Sequence, residues 1–324
     1  MMLFLLLVLL LYSLNTTGVD SRASGCGKQQ IIRTSKVVGG NDSYDGEFPW
    51  AEWQSSRDSR ASGCGKQQII RTSKVVGGND SYDGEFPWAV SIRRNGNHHC
   101  GGVIIGQRWI LTAAHCVQSQ LNSNFVVRIG EYDLFRNDHN TRDYSVERIV
   151  IHDNYSRHSG FKSPANINNA DIALLKTDAD IHWSEYAWPV CFPPNDVISL
   201  AGREGVVVGW GKKTEKSEVY SEKLQKVKLS IIDNKLCQQW FRMAGRDMQI
   251  HDRLICAGQR IGGRDACHGD SGGPLLLKYS SGGPEYYFVA GIVSTGIGCA
   301  RPLMPGLYSN VSSYMNWIYK YLNQ

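Results

Sequence analysis

Thirty-two residues occur twice in this chain without a single difference. Asp20 to Ala51 reads DSRASGCGKQQIIRTSKVVGGNDSYDGEFPWA, and Asp58 to Ala89 repeats it at an offset of 38. Repeat architectures stack several divergent units, so one perfect copy is not a solenoid signature. It reads as a recent duplication, a duplicated exon or an assembly error. Only the second copy runs on into the remaining sequence. The first ends in the short polar stretch Glu52 to Arg57. A folded body must therefore be built from the second copy onward, with residues 20–57 as a non-functional or artefactual duplicate.

The repeat also settles the cysteine arithmetic. Nine cysteines is an odd number, and the first copy supplies the spare, Cys26, whose twin is Cys64. Met1 to Leu11 is an apolar run of the length expected for the core of a secretory signal peptide. The leader is expected over residues 1–19. It is too short to span a bilayer as a helix, so no membrane anchor is expected. Secretion implies an oxidising, extracellular compartment, where cysteines form a disulfide framework.

The chain carries 35 basic and 30 acidic side chains, a net charge of +5. Residues 1–57 sum to zero and residues 58–74 to +3, which leaves +2 for residues 75–324. A body so close to neutral lacks the basic stripe that nucleic acid demands. From Val75 onward, short Val/Ile/Tyr-rich runs alternate with Gly, Asn and Pro turns. Val103–Ile105, Phe125–Ile129, Ile172–Leu175, Gly205–Val208, Tyr287–Val293 and Gly306–Val311 read as strands of an all-β domain. Tyr314–Leu322 reads as the one clear helix, with Trp317, Ile318, Tyr321 and Leu322 on one side.

Three motifs carry chemistry. Gly269-Asp270-Ser271-Gly272-Gly273-Pro274 holds a serine among glycines that let backbone N–H groups approach an oxyanion. A serine is a poor nucleophile without a neighbouring base. Thr112-Ala113-Ala114-His115-Cys116 offers a histidine, and Asp171-Ile172-Ala173-Leu174-Leu175 a carboxylate at the mouth of an apolar strand. Taken singly, these read as a glycine turn, a structural histidine and a turn aspartate. Their order, with Val75-Val76-Gly77-Gly78 upstream, resembles the trypsin/chymotrypsin family of serine proteases over essentially all of Val75 to Gln324.

That resemblance implies two six-stranded antiparallel β-barrels with a C-terminal helix and a catalytic cleft between the barrels. It implies Ser271 as nucleophile, His115 as general base and acid, Asp171 as its orienting partner, and the N–H groups of Gly269 and Ser271 as oxyanion hole. Asp265 would sit at the base of the specificity pocket and pair with a substrate Arg or Lys. Gly296 and Gly306 would form its walls, and Ser294-Thr295-Gly296 would pair with the substrate backbone. Thr295 replaces a Trp common in the family, and His268 a common Gln at the pocket rim.

The resemblance further implies a zymogen. A trypsin-like activator would cut Lys74-Val75, and the new Val75 amine would pair with Asp270, while residues 58–74 remain tethered as a light chain. The implied disulfides are Cys100–Cys116, Cys237–Cys256, Cys267–Cys299 and Cys64–Cys191. Expected partners are protein or peptide substrates, the activator and protein inhibitors. No cofactor is expected. Glu131 and Asp138 fall in a loop that holds calcium in some relatives, but Thr141 stands where a further acidic ligand is often found. Asn79, Asn154 and Asn310 begin glycosylation sequons. Competing readings are a non-catalytic homologue acting in binding or adhesion, and a non-functional product of the duplication.

Overall fold

The computed structural model describes residues 63–69, 80–118, 124–136, 139–155, 170–197 and 199–322. The expected leader, the first repeat copy, Lys74-Val75, Asn79 and Asp138 lie outside these residues.

Twelve strands form two closed antiparallel barrels, as expected. The first contains β1 (Ala89–Arg94), β2 (Asn97–Gly106), β3 (Trp109–Thr112), β4 (Phe125–Ile129), β5 (Arg142–Ile151) and β6 (Ala173–Thr177), in the order β1-β2-β3-β6-β5-β4. The second contains β7 (Glu204–Gly209), β8 (Gln225–Ile232), β9 (Leu254–Gly258), β10 (Pro274–Tyr279), β11 (Tyr286–Thr295) and β12 (Gly306–Asn310), in the order β10-β11-β12-β9-β8-β7. Closure leaves no edge strand to pair with another chain. Local sequence sets much of this. Asn95-Gly96 joins β1 to β2 with positive φ at both residues (50° and 79°), the turn whose twist suits a two-residue hairpin. In β4, Phe125, Val127 and Ile129 are buried while Val126 and Arg128 are partly exposed, the period of two that one buried face demands.

Three helices complete the described fold: α1 (Ala114–Val117), α2 (Asn234–Met243) and α3 (Met315–Leu322). The expectation of one clear helix is corrected by α2. Its N-cap is Asp233, whose Oδ1 accepts the N–H groups of Lys235 (2.9 Å) and Leu236 (3.2 Å). Cys237 and Phe241, one turn apart, are its fully buried contacts. The C-terminal helix begins at Met315, after a 3-10 turn over Val311–Tyr314. Ile318 and Leu322 are buried in the same cluster as Ile104 and Leu111 of the first barrel. Trp317 and Tyr321 are only partly covered. The end of the chain thus clamps the barrel in which the described strands begin.

All four implied disulfides are present: Cys64–Cys191, Cys100–Cys116, Cys237–Cys256 and Cys267–Cys299. The segment around Cys64 is also held by its backbone. Trp188 Nε1 donates to Gly63 O (2.9 Å), Gly65 N to Pro189 O (2.9 Å) and Tyr287 N to Gly65 O (2.7 Å). No helix among the described residues is long and apolar enough to cross a membrane.

Candidate active site

Register brings the first two chemical motifs together. Thr112, the last residue of β3, pairs with Ala173, the first of β6, so the segments beyond them emerge side by side. Ala113 and Ala114 are fully buried, and their small side chains let α1 sit tightly on the barrel end. Ala170 holds φ at 59°, and Ile172 N donates back to Ala170 O (2.8 Å). That tight turn faces Asp171 toward α1. Asp171 Oδ1 accepts the backbone N–H of His115 (2.9 Å), and Oδ2 lies 2.8 Å from His115 Nδ1. Burial disfavours the imidazolium, but the Asp171 charge and hydrogen bond outweigh it and raise the His115 pKa above its usual value.

Strand β11 ties in the third motif. Gly272 N donates to Val293 O (2.8 Å), and the next residue, Ser294, donates its hydroxyl to Asp171 Oδ2 (2.5 Å). Ser309 Oγ of β12 donates to Asp171 O (2.7 Å). The serine loop and the aspartate are thus both gauged against β11, and the aspartate against β12 as well. From the first barrel, Gly101 N donates to Ser271 O (2.7 Å). Gly272 has φ of 78°, and a Cβ there would fall 2.2 Å from Thr112 Oγ1, so this close approach between barrels requires glycine.

His115, Asp171 and Ser271 therefore converge where the barrels meet. The Asp171–His115 link is made, while no hydrogen bond joins Ser271 Oγ to His115 Nε2. Such contacts commonly tighten only when substrate binds. Around Ser271, the N–H groups of Cys267, Asp270, Gly272 and Gly273 all donate to protein acceptors. Those of Gly269 and Ser271 donate to none among the described residues. Gly269 has φ of 100°, and its carbonyl accepts a hydrogen bond from His98 Nε2 (2.9 Å). Burial drives His98 down to about 4, which keeps it neutral, with Nδ1 left to accept the Ser91 hydroxyl (2.9 Å). The sequence reading did not single out His98, and its position in His98-His99-Cys100 carried no signal beyond residue type.

A pocket opens beside Ser271, lined among others by Asp265, Ser294, Thr295, Gly296 and Gly306. Asp265 is among its lining residues. Burial pushes its carboxyl up to about 7, against the pull of the Ala300 and Ala266 N–H groups at 3.1 and 2.8 Å. No cation pairs with it among the described residues. A Cβ on Gly306 would lie 2.8 Å from Asp265 Oδ1, so glycine keeps the pocket open. The Ser294 side chain points away, to Asp171, so only its backbone is left for a ligand. β11 slips register against β12 between Val293 and Thr295, which takes Ser294 out of that ladder.

Behind Ser271, the buried carboxylate of Asp270 accepts N–H groups from Gly211 and Cys267, both at 2.8 Å. Burial raises it to about 6. Calcium would meet competition at Glu131. Glu131 is almost fully buried with Arg93 at 3.4 Å and Arg128 at 3.6 Å, so a cation would have to displace two guanidiniums. Cys100, His115 and Cys116 are also close together, but both sulfurs are spent in a disulfide and offer no thiolate.

Two closed barrels with Ser, His and Asp gathered between them define a class, and comparison with known proteins agrees. A family model described as Trypsin matches residues 75–318. The chain belongs to the trypsin family of serine proteases. It is similar to the serine proteinase stubble of Drosophila melanogaster, with 36% identity over 314 residues, 94% of this chain and 33% of the relative. Serine protease filzig of the same organism is 36% identical over 306 residues, 92% of this chain and 15% of the relative. Coagulation factor XI of Bos taurus is 38% identical over 224 residues, 68% of this chain and 33% of the relative. The chain spans a third or less of the length of these relatives.

Proposed function

We propose that this protein is a secreted serine endopeptidase that cleaves peptide bonds after Arg or Lys. The observation that carries the specificity is Asp265. A carboxylate so buried is costly to ionise unless a cation joins it, and the pocket it lines also has Gly296, Gly298 and Gly306 in its wall, which leave room for a long side chain. An Arg or Lys side chain supplies the missing charge.

In the proposed reaction, Ser271 Oγ attacks the carbonyl of the residue held in the pocket. His115 accepts the serine proton at Nε2 while Asp171 fixes Nδ1–H and stabilises the imidazolium. The two free N–H groups of Gly269 and Ser271 receive the developing oxyanion, an interaction typically worth 10²–10³ in rate per donor, as an order of magnitude. His115 then returns the proton to the leaving amine, and water repeats the sequence on the acyl-enzyme. Because the His115 pKa is raised, activity should climb as pH passes that value and frees the base.

The same proposal includes activation by a trypsin-like protease after Lys74. Asp270 is buried with two backbone donors and no cation among the described residues, which is the environment an inserted α-amine would complete. Leaving one partner of such a pair uncompensated typically costs about 3–5 kcal/mol, enough to hold the uncleaved chain in a poorly active state. Secretion rests on the apolar leader and the four disulfides, and protein inhibitors that present an Arg or Lys would occupy the same pocket. The test is Asp265→Ser in the activated enzyme, with kcat/KM compared on Arg, Lys, Phe and Leu peptide substrates. The variant should lose its preference for Arg and Lys. A wild type that prefers Phe or Leu would overturn the pocket assignment.

A further inference from the structure

An ion pair lies against Gly298 of the pocket wall, and the proposed chemistry makes no use of it. Glu215 stands in the loop after β7, and Arg301 lies two residues beyond Cys299. Arg301 donates from Nε to Glu215 Oε2 (3.0 Å) and from Nη2 to Oε1 (2.5 Å), a two-pronged contact. Glu215 Oε2 also takes a longer bond from the N–H of Cys299 (3.4 Å). Gly298, a lining residue of the pocket, lies so close that a Cβ there would fall 2.3 Å from Arg301 Nε and 2.8 Å from Glu215 Oε2. The guanidinium holds the Glu215 carboxyl below its usual range, with the Cys299 N–H and the His268 ring acting in the same direction.

The segment gripped by this pair is bent and has a task. Gly298 and Ala300 both have positive φ, 73° and 57°. Left-handed alanine is disfavoured, and it persists where surrounding contacts over-determine it. Ala300 is also the residue whose N–H donates to Oδ2 of the pocket residue Asp265 (3.1 Å), while its carbonyl accepts Gly263 N–H (2.8 Å). The Cys267–Cys299 bridge fixes one side of the segment. The Arg301 fork fixes the other, by tying it to the loop after β7.

We infer that Glu215 and Arg301 form a specificity clasp. The pair holds the Gly298–Arg301 wall so that the Ala300 N–H stays on Asp265 and the pocket keeps the width of a long cationic side chain. Both are positioning residues, since neither lines the pocket floor nor reaches the reacting atoms. The inference rests on the proposed Arg/Lys pocket and adds residues that the sequence motifs do not include. Exposed ion pairs as such contribute little to stability. This one acts on a bent wall, where a small displacement is read as weaker cation binding.

The experiment uses activated full-length enzyme with Arg301→Ala, Glu215→Gln and the double variant. Active-site concentration is set by fluorophosphonate titration. KM and kcat are measured on an arginine p-nitroanilide substrate, and Ki is measured for benzamidine, a planar cation that probes the pocket alone. Each single variant should raise KM and the benzamidine Ki about five-fold, the equivalent of an exposed pair at the upper end of its usual range. Turnover should stay within about twofold, and the double variant should be no worse than either single one, because the two residues act as a unit. Should Arg301→Ala fold poorly, Glu215→Gln, which keeps shape and removes only charge, carries the test. A wild type that binds benzamidine while the variants bind it equally well overturns the clasp alone. Loss of kcat with an unchanged Ki also overturns it. A wild type that ignores benzamidine overturns the pocket reading, and the clasp falls with it.

Discussion

Lowering the pH should loosen a cation from the specificity pocket by an amount that Asp265 sets. Burial lifts this carboxyl to about 7, opposed by the N–H groups of Ala300 and Ala266, with the Asp270 charge adding to the rise. Only the ionised form attracts a cation. With a pKa near 7, about nine-tenths of the empty pocket is ionised at about pH 8 and about one-eleventh at about pH 6, so apparent affinity should fall roughly ten-fold. A carboxyl at its ordinary value would stay ionised across that range, and affinity would not change. The assay is benzamidine binding by calorimetry to the activated Ser271→Ala protein, in buffers of differing ionisation enthalpy. Binding at about pH 6 should release close to one proton, while binding at about pH 8 should release almost none. His115 also titrates, with its pKa raised by Asp171, so the comparison is repeated in His115→Ala. Dissociation constants that agree within about twofold at both pH values would refute the argument. The same shift has a stability consequence of fixed sign. The folded pKa lies above the unfolded one, so the contribution of Asp265 is fully present below the ordinary value of 3.8 and is lost as pH rises through about 7. Benzamidine should restore thermal stability above that range.

Two further outcomes follow from the repeat and the sequons. Lys36-Val37 and Lys74-Val75 are identical in local sequence, but only Val75 continues directly into β1. Lys74→Ala should block activation and Lys36→Ala should not, and deletion of residues 20–57 should leave the activated enzyme unchanged; N-terminal sequencing of active material that starts at Val37 alone would contradict this. Asn154 is exposed in a turn after β5, whereas Asn310 donates its amide to Asp252 O (2.9 Å). Glycan mapping of secreted protein should therefore find Asn154 occupied and Asn310 bare, and the reverse pattern would reject the reasoning.

The catalytic motifs were legible because they are local. Ser271 with its glycines, His115 between alanines and Cys116, and Asp171 before an apolar strand each fit in a handful of residues. The disulfides were reachable only through family resemblance, since spacing alone does not choose among pairings. What sequence concealed was long-range. Ser294 was expected to pair its backbone with substrate, and nothing local in sequence signalled that its hydroxyl bonds Asp171, which lies more than a hundred residues earlier in the chain. His98 reaches Gly269 across the barrel interface. Helix α2 escaped notice because half of Asn234-Lys235-Leu236-Cys237-Gln238-Gln239-Trp240-Phe241 is polar and only Cys237 and Phe241 are buried. The one available sign was Asp233 as a cap. Strands β3, β9 and β10 lacked an alternation because nearly all of their residues are buried, and that of β5 breaks at Arg148; β8 does alternate Val227, Leu229 and Ile231 with Lys226, Lys228 and Ser230 and was overlooked.

The account turns on Ser271 being an activated nucleophile, and a fluorophosphonate probe reads that directly. Protein cleaved to a Val75 terminus should incorporate one probe per chain, mapped by peptide mass to Ser271. Labelling should vanish in Ser271→Ala and fall by orders of magnitude in His115→Ala, because triad members act as a unit. Folded, cleaved protein that takes up no label, or that takes it up equally well without His115, would contradict the account.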